Sequence, residues 1–150
     1  GMLAASGKVD TALLQKLGSL IYYRQKPPKS LGREWIATPF LPVLKPSQAC
    51  VEDKLATVTE HIAIQIAGAA KGKGKLLLTG GGAFNTLLVK KLEGKLKEQK
   101  VIVPPAEIVK YKEALVFAFL GVLRWEEKDN CLSSVTGASK NNKGGVIWLI

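Results

Sequence analysis

Lys75-Leu76-Leu77-Leu78-Thr79-Gly80-Gly81-Gly82-Ala83-Phe84-Asn85 is the stretch that decides the fold. Lys75 to Thr79 is a short apolar run, and three glycines end it, which predicts a buried strand. The strand feeds a helix predicted over 84–99, with Phe84, Leu88, Leu92 and Leu96 on its inward face. Val101-Ile102-Val103 is a second short strand, closed by Pro104-Pro105. A further helix is predicted over 113–125. Its stretch from Ala114 to Leu123 holds only apolar residues and Gly121, so burial on nearly all sides is expected. Strand–helix alternation between 75 and 125 indicates an α/β fold with parallel strands.

Upstream, Asp10 is an N-cap for a helix predicted over 10–23, with Leu13, Leu14, Leu17, Leu20 and Ile21 as its stripe. Lys26-Pro27-Pro28-Lys29 stops that helix. Pro39, Pro42 and Pro46 then punctuate a segment over 26–47 that reads as ordered but irregular. A helix predicted over 51–70 places Val51, Leu55, Val58, Ile62, Ile66 and Ala69 on one face. His61 falls beside that stripe, next to Glu60, and reads as a solvated or capping residue. Val146 to Leu149 reads as a last strand over 146–149.

The chain has 150 residues, 47% of them hydrophobic, which is one domain's worth and enough to bury a core. Intrinsic disorder is excluded on that balance. No apolar run approaches the roughly 20 residues that cross a bilayer, and no signal peptide is visible, so a cytoplasmic setting is expected. Two cysteines, Cys50 and Cys131, make neither a disulfide framework nor a metal site alone. The net charge is +10, yet only Arg24, Arg33 and Arg124 are arginines and the lysines are scattered. A nucleic-acid partner is therefore not expected.

Chemistry concentrates at the glycines. Lacking Cβ atoms, Gly80, Gly81 and Gly82 let a ligand lie against the backbone, and amides at the following helix start favour a phosphate. The same residues also suit a tight turn that holds nothing. Neither common nucleotide motif is present. Gly74-Lys75 is followed by Leu76 where a P-loop needs Ser or Thr, and Gly80-x-Gly82 is followed by Asn85 where a dinucleotide fingerprint needs glycine. Lys112-Glu113, read at the mouth of the apolar helix, offers either a carboxylate settled by the helix dipole or an acceptor for a polyhydroxylated ligand.

Four segments in order resemble the anhydro-N-acetylmuramic acid kinases of the actin/hexokinase/heat-shock-protein-70 ATPase superfamily. They are Pro28-Lys29-Ser30-Leu31-Gly32-Arg33-Glu34, Thr79 to Asn85, Lys112-Glu113-Ala114 with Phe117-Ala118-Phe119, and Thr136-Gly137-Ala138. The resemblance covers nearly the whole chain and points to the family's C-terminal half. It implies a helix-rich C-terminal lobe of an actin-like, ribonuclease H-like fold that lacks its first strands. It also implies an enzyme using ATP with Mg²⁺ to open and 6-phosphorylate an anhydro-amino sugar in peptidoglycan recycling. By carry-over, Gly80, Gly81, Gly82 and Ala83 line the adenosine and α-phosphate pocket, Asn85 is a candidate for the same site, and Glu113 hydrogen-bonds the sugar.

The family's early phosphate loop, its Asp-Thr-Gly-Pro-Gly segment and its water-activating aspartate have no counterpart here, so no catalytic or metal-binding residue is assigned. Catalysis by this chain alone is not expected. A first strand without its neighbours leaves an open edge, so a homo-oligomer or a separate N-terminal half is expected as partner. The reading from a different class is a non-catalytic nucleotide or sugar-phosphate binding or interaction module.

Overall fold

A computed structural model describes residues 1–26, 29–70 and 72–148. Its centre is α5 (Val51–Ala69), on which the N-terminal helices α1 (Met2–Ser6) and α2 (Thr11–Gly18) and the later α6 (Thr86–Lys95) pack. Asp10 caps α2 by accepting from the Leu13 amide at 3.0 Å. The helix is shorter than predicted: it ends at Gly18, and a separate 3₁₀ turn forms at Ile21–Arg24. The stop assigned to Pro27-Pro28 lies outside the described residues.

Small residues make the α5 contacts. Ala56, Thr57, Thr59 and Ala63 are buried, whereas Val51, Leu55 and Ile62 of the predicted inward stripe are exposed. Small side chains let helices approach closely, and Gly7 shows how closely. A Cβ there would lie 2.2 Å from the Glu52 carbonyl oxygen. Thr57 stays buried because its hydroxyl is fully used, accepting from the Asp10 amide at 2.9 Å and donating to the Asp53 carbonyl at 2.7 Å. Between α5 and α6, Glu60 pairs with Lys91 at 2.6 Å and Lys95 at 2.5 Å. Partial burial pushes the Glu60 carboxyl up, but the hydrogen bonds and charges of the two lysines outweigh it and hold the pKa below the ordinary value.

Strands β1 (Gly74–Leu77) and β2 (Gln99–Ile102) pair in parallel, with Leu76 opposite Val101. Leu76, Leu78 and Val101 press on a core of Ala63, Leu92 and Leu96. No third strand joins this sheet among the described residues, and Leu77 on its other face is exposed.

Further expectations change. The 26–47 segment is largely helical, with α3 (Arg33–Trp35), a π turn at Ile36–Phe40 and α4 (Leu41–Leu44) in direct succession. Pro39 lies inside the π turn, whose wider winding tolerates a residue that lacks an amide hydrogen. Helix α7 (Ala106–Trp125) starts seven residues earlier than predicted, directly after Pro105, and Val109 is its one buried residue. The expected all-round burial of α7 is overturned. The tail forms no strand at Val146–Trp148, and Leu149 lies outside the described residues. Instead an isolated antiparallel bridge joins Cys131 to Asn142, past the short α8 (Ser133–Thr136). Asn130 ties this return to α7, donating to the carbonyls of Leu120 and Gly144, each at 3.1 Å.

Candidate functional site

The glycine turn sits at the carboxyl end of β1, where open α/β sheets receive ligands. Its glycines differ in what the fold asks of them. Gly80 has φ 82° and ψ 171°, a conformation essentially reserved for glycine. Gly81 has no such φ, and a Cβ built on it meets nothing within 4 Å; at Gly82 a Cβ would only touch Leu88 at 3.8 Å. The backbone needs Gly80. Gly81 and Gly82 leave a space that the fold itself does not use.

The helix start is not the expected one, and Phe84, expected to face inward, is exposed because it lies in the turn before the helix. Gly81–Phe84 is a single 3₁₀ turn, and α6 begins only at Thr86. The Asn85 side chain caps α6, accepting from the Leu88 amide at 3.2 Å. Ala83 is buried, and its amide donates to the Gly80 carbonyl at 3.0 Å. A long helix dipole therefore does not point at the glycines, and the open backbone at Gly81 faces the space instead.

Across that space stands α7. Gly80, Gly81 and Phe84 share a cavity of about 310 Å³ with Val109, Lys110, Lys112 and Glu113. Glu113 is thus in the third turn of α7 rather than at its mouth, because the helix begins at Ala106. Its position answers to the cavity and not to the helix dipole, which fades beyond the first turn. Lys110 escapes the sequence reading. It lies three residues before Glu113 and so shares its face, a relation visible only once α7 is begun at Ala106. Among the described residues no ion pair engages Lys110, Lys112 or Glu113. The arrangement offers two cations and one carboxylate around a side-chain-free floor, which suits a phosphate-bearing, hydroxylated ligand. The cavity holds a single carboxylate, and no group of three or more His, Cys, Asp or Glu among the described residues gathers as a metal site.

Arg33 and Glu34 open α3 and do not line this cavity. Trp35 joins Tyr22, Tyr23, Phe40 and His61 in ring contacts of 5.0–6.1 Å between centroids. His61 is buried, with its Nε2 2.9 Å from the Tyr23 hydroxyl, which replaces the solvated histidine of the sequence reading. Burial lowers its pKa and keeps the ring neutral near pH 7. These rings and Val58, Ile62, Ile66 and Ala69 enclose an apolar groove of about 530 Å³.

Fold and cavity define a helix-rich α/β chain with a glycine turn lining a cavity at a parallel strand's carboxyl end. The comparisons give that class a family. A family model described as anhydro-N-acetylmuramic acid kinase matches residues 1–149. The anhydro-N-acetylmuramic acid kinase of Acidithiobacillus ferrooxidans is 35% identical over 92% of this chain and 37% of that protein. Those of Mannheimia succiniciproducens and Saccharophagus degradans are 34% and 31% identical, over 97% and 99% of this chain and 43% and 42% of theirs. The chain belongs to the anhydro-N-acetylmuramic acid kinase family, and it spans about two fifths of the length of these relatives. Among the described residues no helix is long and apolar enough to cross a membrane.

Proposed function

We propose that this chain is the ATP-binding C-terminal lobe of an anhydro-N-acetylmuramic acid kinase-like sugar kinase with an actin-like fold, working in the cytoplasm. The observation that carries the reading is the shared cavity of Gly80, Gly81 and Glu113, whose floor lacks side chains although only Gly80 needs glycine for its backbone. In this reading Gly80, Gly81 and Gly82 carry the adenosine and α-phosphate, Ala83 and Asn85 hold the turn in shape, and Lys110 and Lys112 balance phosphate charge. Glu113 accepts a hydrogen bond from a hydroxyl of the anhydro-amino sugar at the same cavity's other wall. ATP supplies the phosphoryl group for ring opening and 6-phosphorylation, in peptidoglycan recycling. No catalytic base or Mg²⁺ ligand is assigned to this chain, and turnover requires residues from the rest of the enzyme.

Titration calorimetry with ATP tests the binding claim. Saturable heat is expected from the native chain, and its loss is expected in Gly81→Val, whose unfolding free energy stays within about 0.5 kcal/mol of the native chain's because the space is free. Absence of heat at millimolar ATP, or equal heat from Gly81→Val, contradicts it. A coupled ADP assay with the anhydro-sugar, run with and without the remaining part of a family kinase, tests the activity. Turnover is expected only in the combined sample.

A further inference from the structure

We propose that the bare apolar stripe of α7 is the docking face for the part of the kinase that this chain does not contain. The proposal rests on the reading above that the chain is one lobe of the enzyme. Ile108, Tyr111, Leu115, Phe119, Val122 and Trp125 follow one another at steps of three and four, so they line one side of α7. Each is exposed, Tyr111 at 67% and Trp125 at 69%. The stripe runs about 26 Å at the helical rise of 1.5 Å per residue. So long an apolar surface on a soluble domain marks an interface.

The occupant follows from two further observations. Phe117, on a different side of α7, is 71% exposed as well. A second α7 laid along the stripe would leave Phe117 bare, whereas a body with several elements can enclose both, as a helix apolar on most sides requires. The sheet gives the same answer. Among the described residues the sheet has two parallel strands, packed by one face on the α5–α6 core, and Leu77 on the other face is exposed. The relatives carry more than half of their length outside the region matched here, which is enough chain for such a body.

The test mixes the 150-residue chain with the unmatched portion of the Acidithiobacillus ferrooxidans relative and, separately, of the Mannheimia succiniciproducens relative. Mass is read by light scattering, and exposed apolar surface by anilinonaphthalene sulfonate fluorescence. Expected are a monomer with bright dye emission alone, and a 1:1 complex with that emission largely lost on mixing. Leu115→Asp/Phe119→Asp should weaken the complex at least tenfold while leaving the far-ultraviolet circular dichroism unchanged. Ile62→Asp, in the separate aromatic groove, keeps the complex and controls for general loss of solubility. The proposal is overturned by a stable homodimer that the α7 variant dissociates, by equal complex formation from the α7 variant, or by no complex with either portion. ATP calorimetry separates the two readings: heat without a complex rejects the docking face alone, and a complex without heat rejects the nucleotide reading alone.

Discussion

Helices α6 and α7 follow the two strands of one small sheet, and both carry leucines, valines and lysines. Yet α6 buries Leu92 completely against Ala63 of α5, while α7 leaves Leu115, Phe119 and Trp125 in water. The difference is one of partners and not of composition. α6 meets α5 through a core contact and through Glu60, which bridges to Lys91 and Lys95. α7 meets mainly the glycine turn and the Cys131–Asn142 return, both on one side of it. An apolar helix forms from its own hydrogen bonds, but only a neighbour decides which of its faces is interior.

The comparison breaks first at Leu92. Leu92→Ala should cost about 2–5 kcal/mol in urea denaturation, whereas Phe119→Ala in the isolated chain should stay within about 0.5 kcal/mol. Similar costs for the two would erase the distinction between a packed and an unpacked helix. Next, Tyr23→Phe should cost about 1–3 kcal/mol, since it strands the buried His61 nitrogen.

The same histidine gives a pH signature. Its folded pKa lies below the ordinary 6.5, so the unfolded chain binds the extra proton first as pH falls. Stability should therefore hold at pH 7.5 and decline as pH drops through 6.5 toward the lowered folded value. His61→Phe should flatten that decline, and an unchanged slope would remove His61 as its source. Gly80→Ala should cost about 1–2 kcal/mol because of its left-handed φ, against almost nothing for Gly81→Ala. Glu60→Gln has a small expected effect, below about 1 kcal/mol, and that contribution fades as pH falls through the lowered carboxyl pKa.

Much of this arrangement was legible before the structure. The two parallel strands, the α5 span, the Asp10 cap and the glycine turn follow from local rules of apolar runs, capping and punctuation, but β1, expected to be buried, is exposed at Gly74, Lys75 and Leu77 for want of a neighbour on its second face. What escaped depends on neighbours. The α5 stripe was read by size, but Ala56, Thr57 and Ala63 were chosen as interior because α1, α2 and α6 approach too closely for large side chains. Pro104-Pro105 reads as an end of structure, yet proline fits at a helix N-terminus, so α7 starts at Ala106 and carries Lys110 to the cavity beside Glu113. His61 gave no sign of burial, because Tyr23, its partner, lies 38 residues away.

Amide hydrogen exchange with and without ATP tests the central claim most directly, because it reports where a ligand sits rather than whether one binds. ATP should slow exchange at Gly81–Asn85 and at Lys110–Glu113, the two walls of the shared cavity, and leave α5 unchanged. Protection confined to the aromatic groove around Trp35 and His61, or no protection at the glycine turn, would contradict the account.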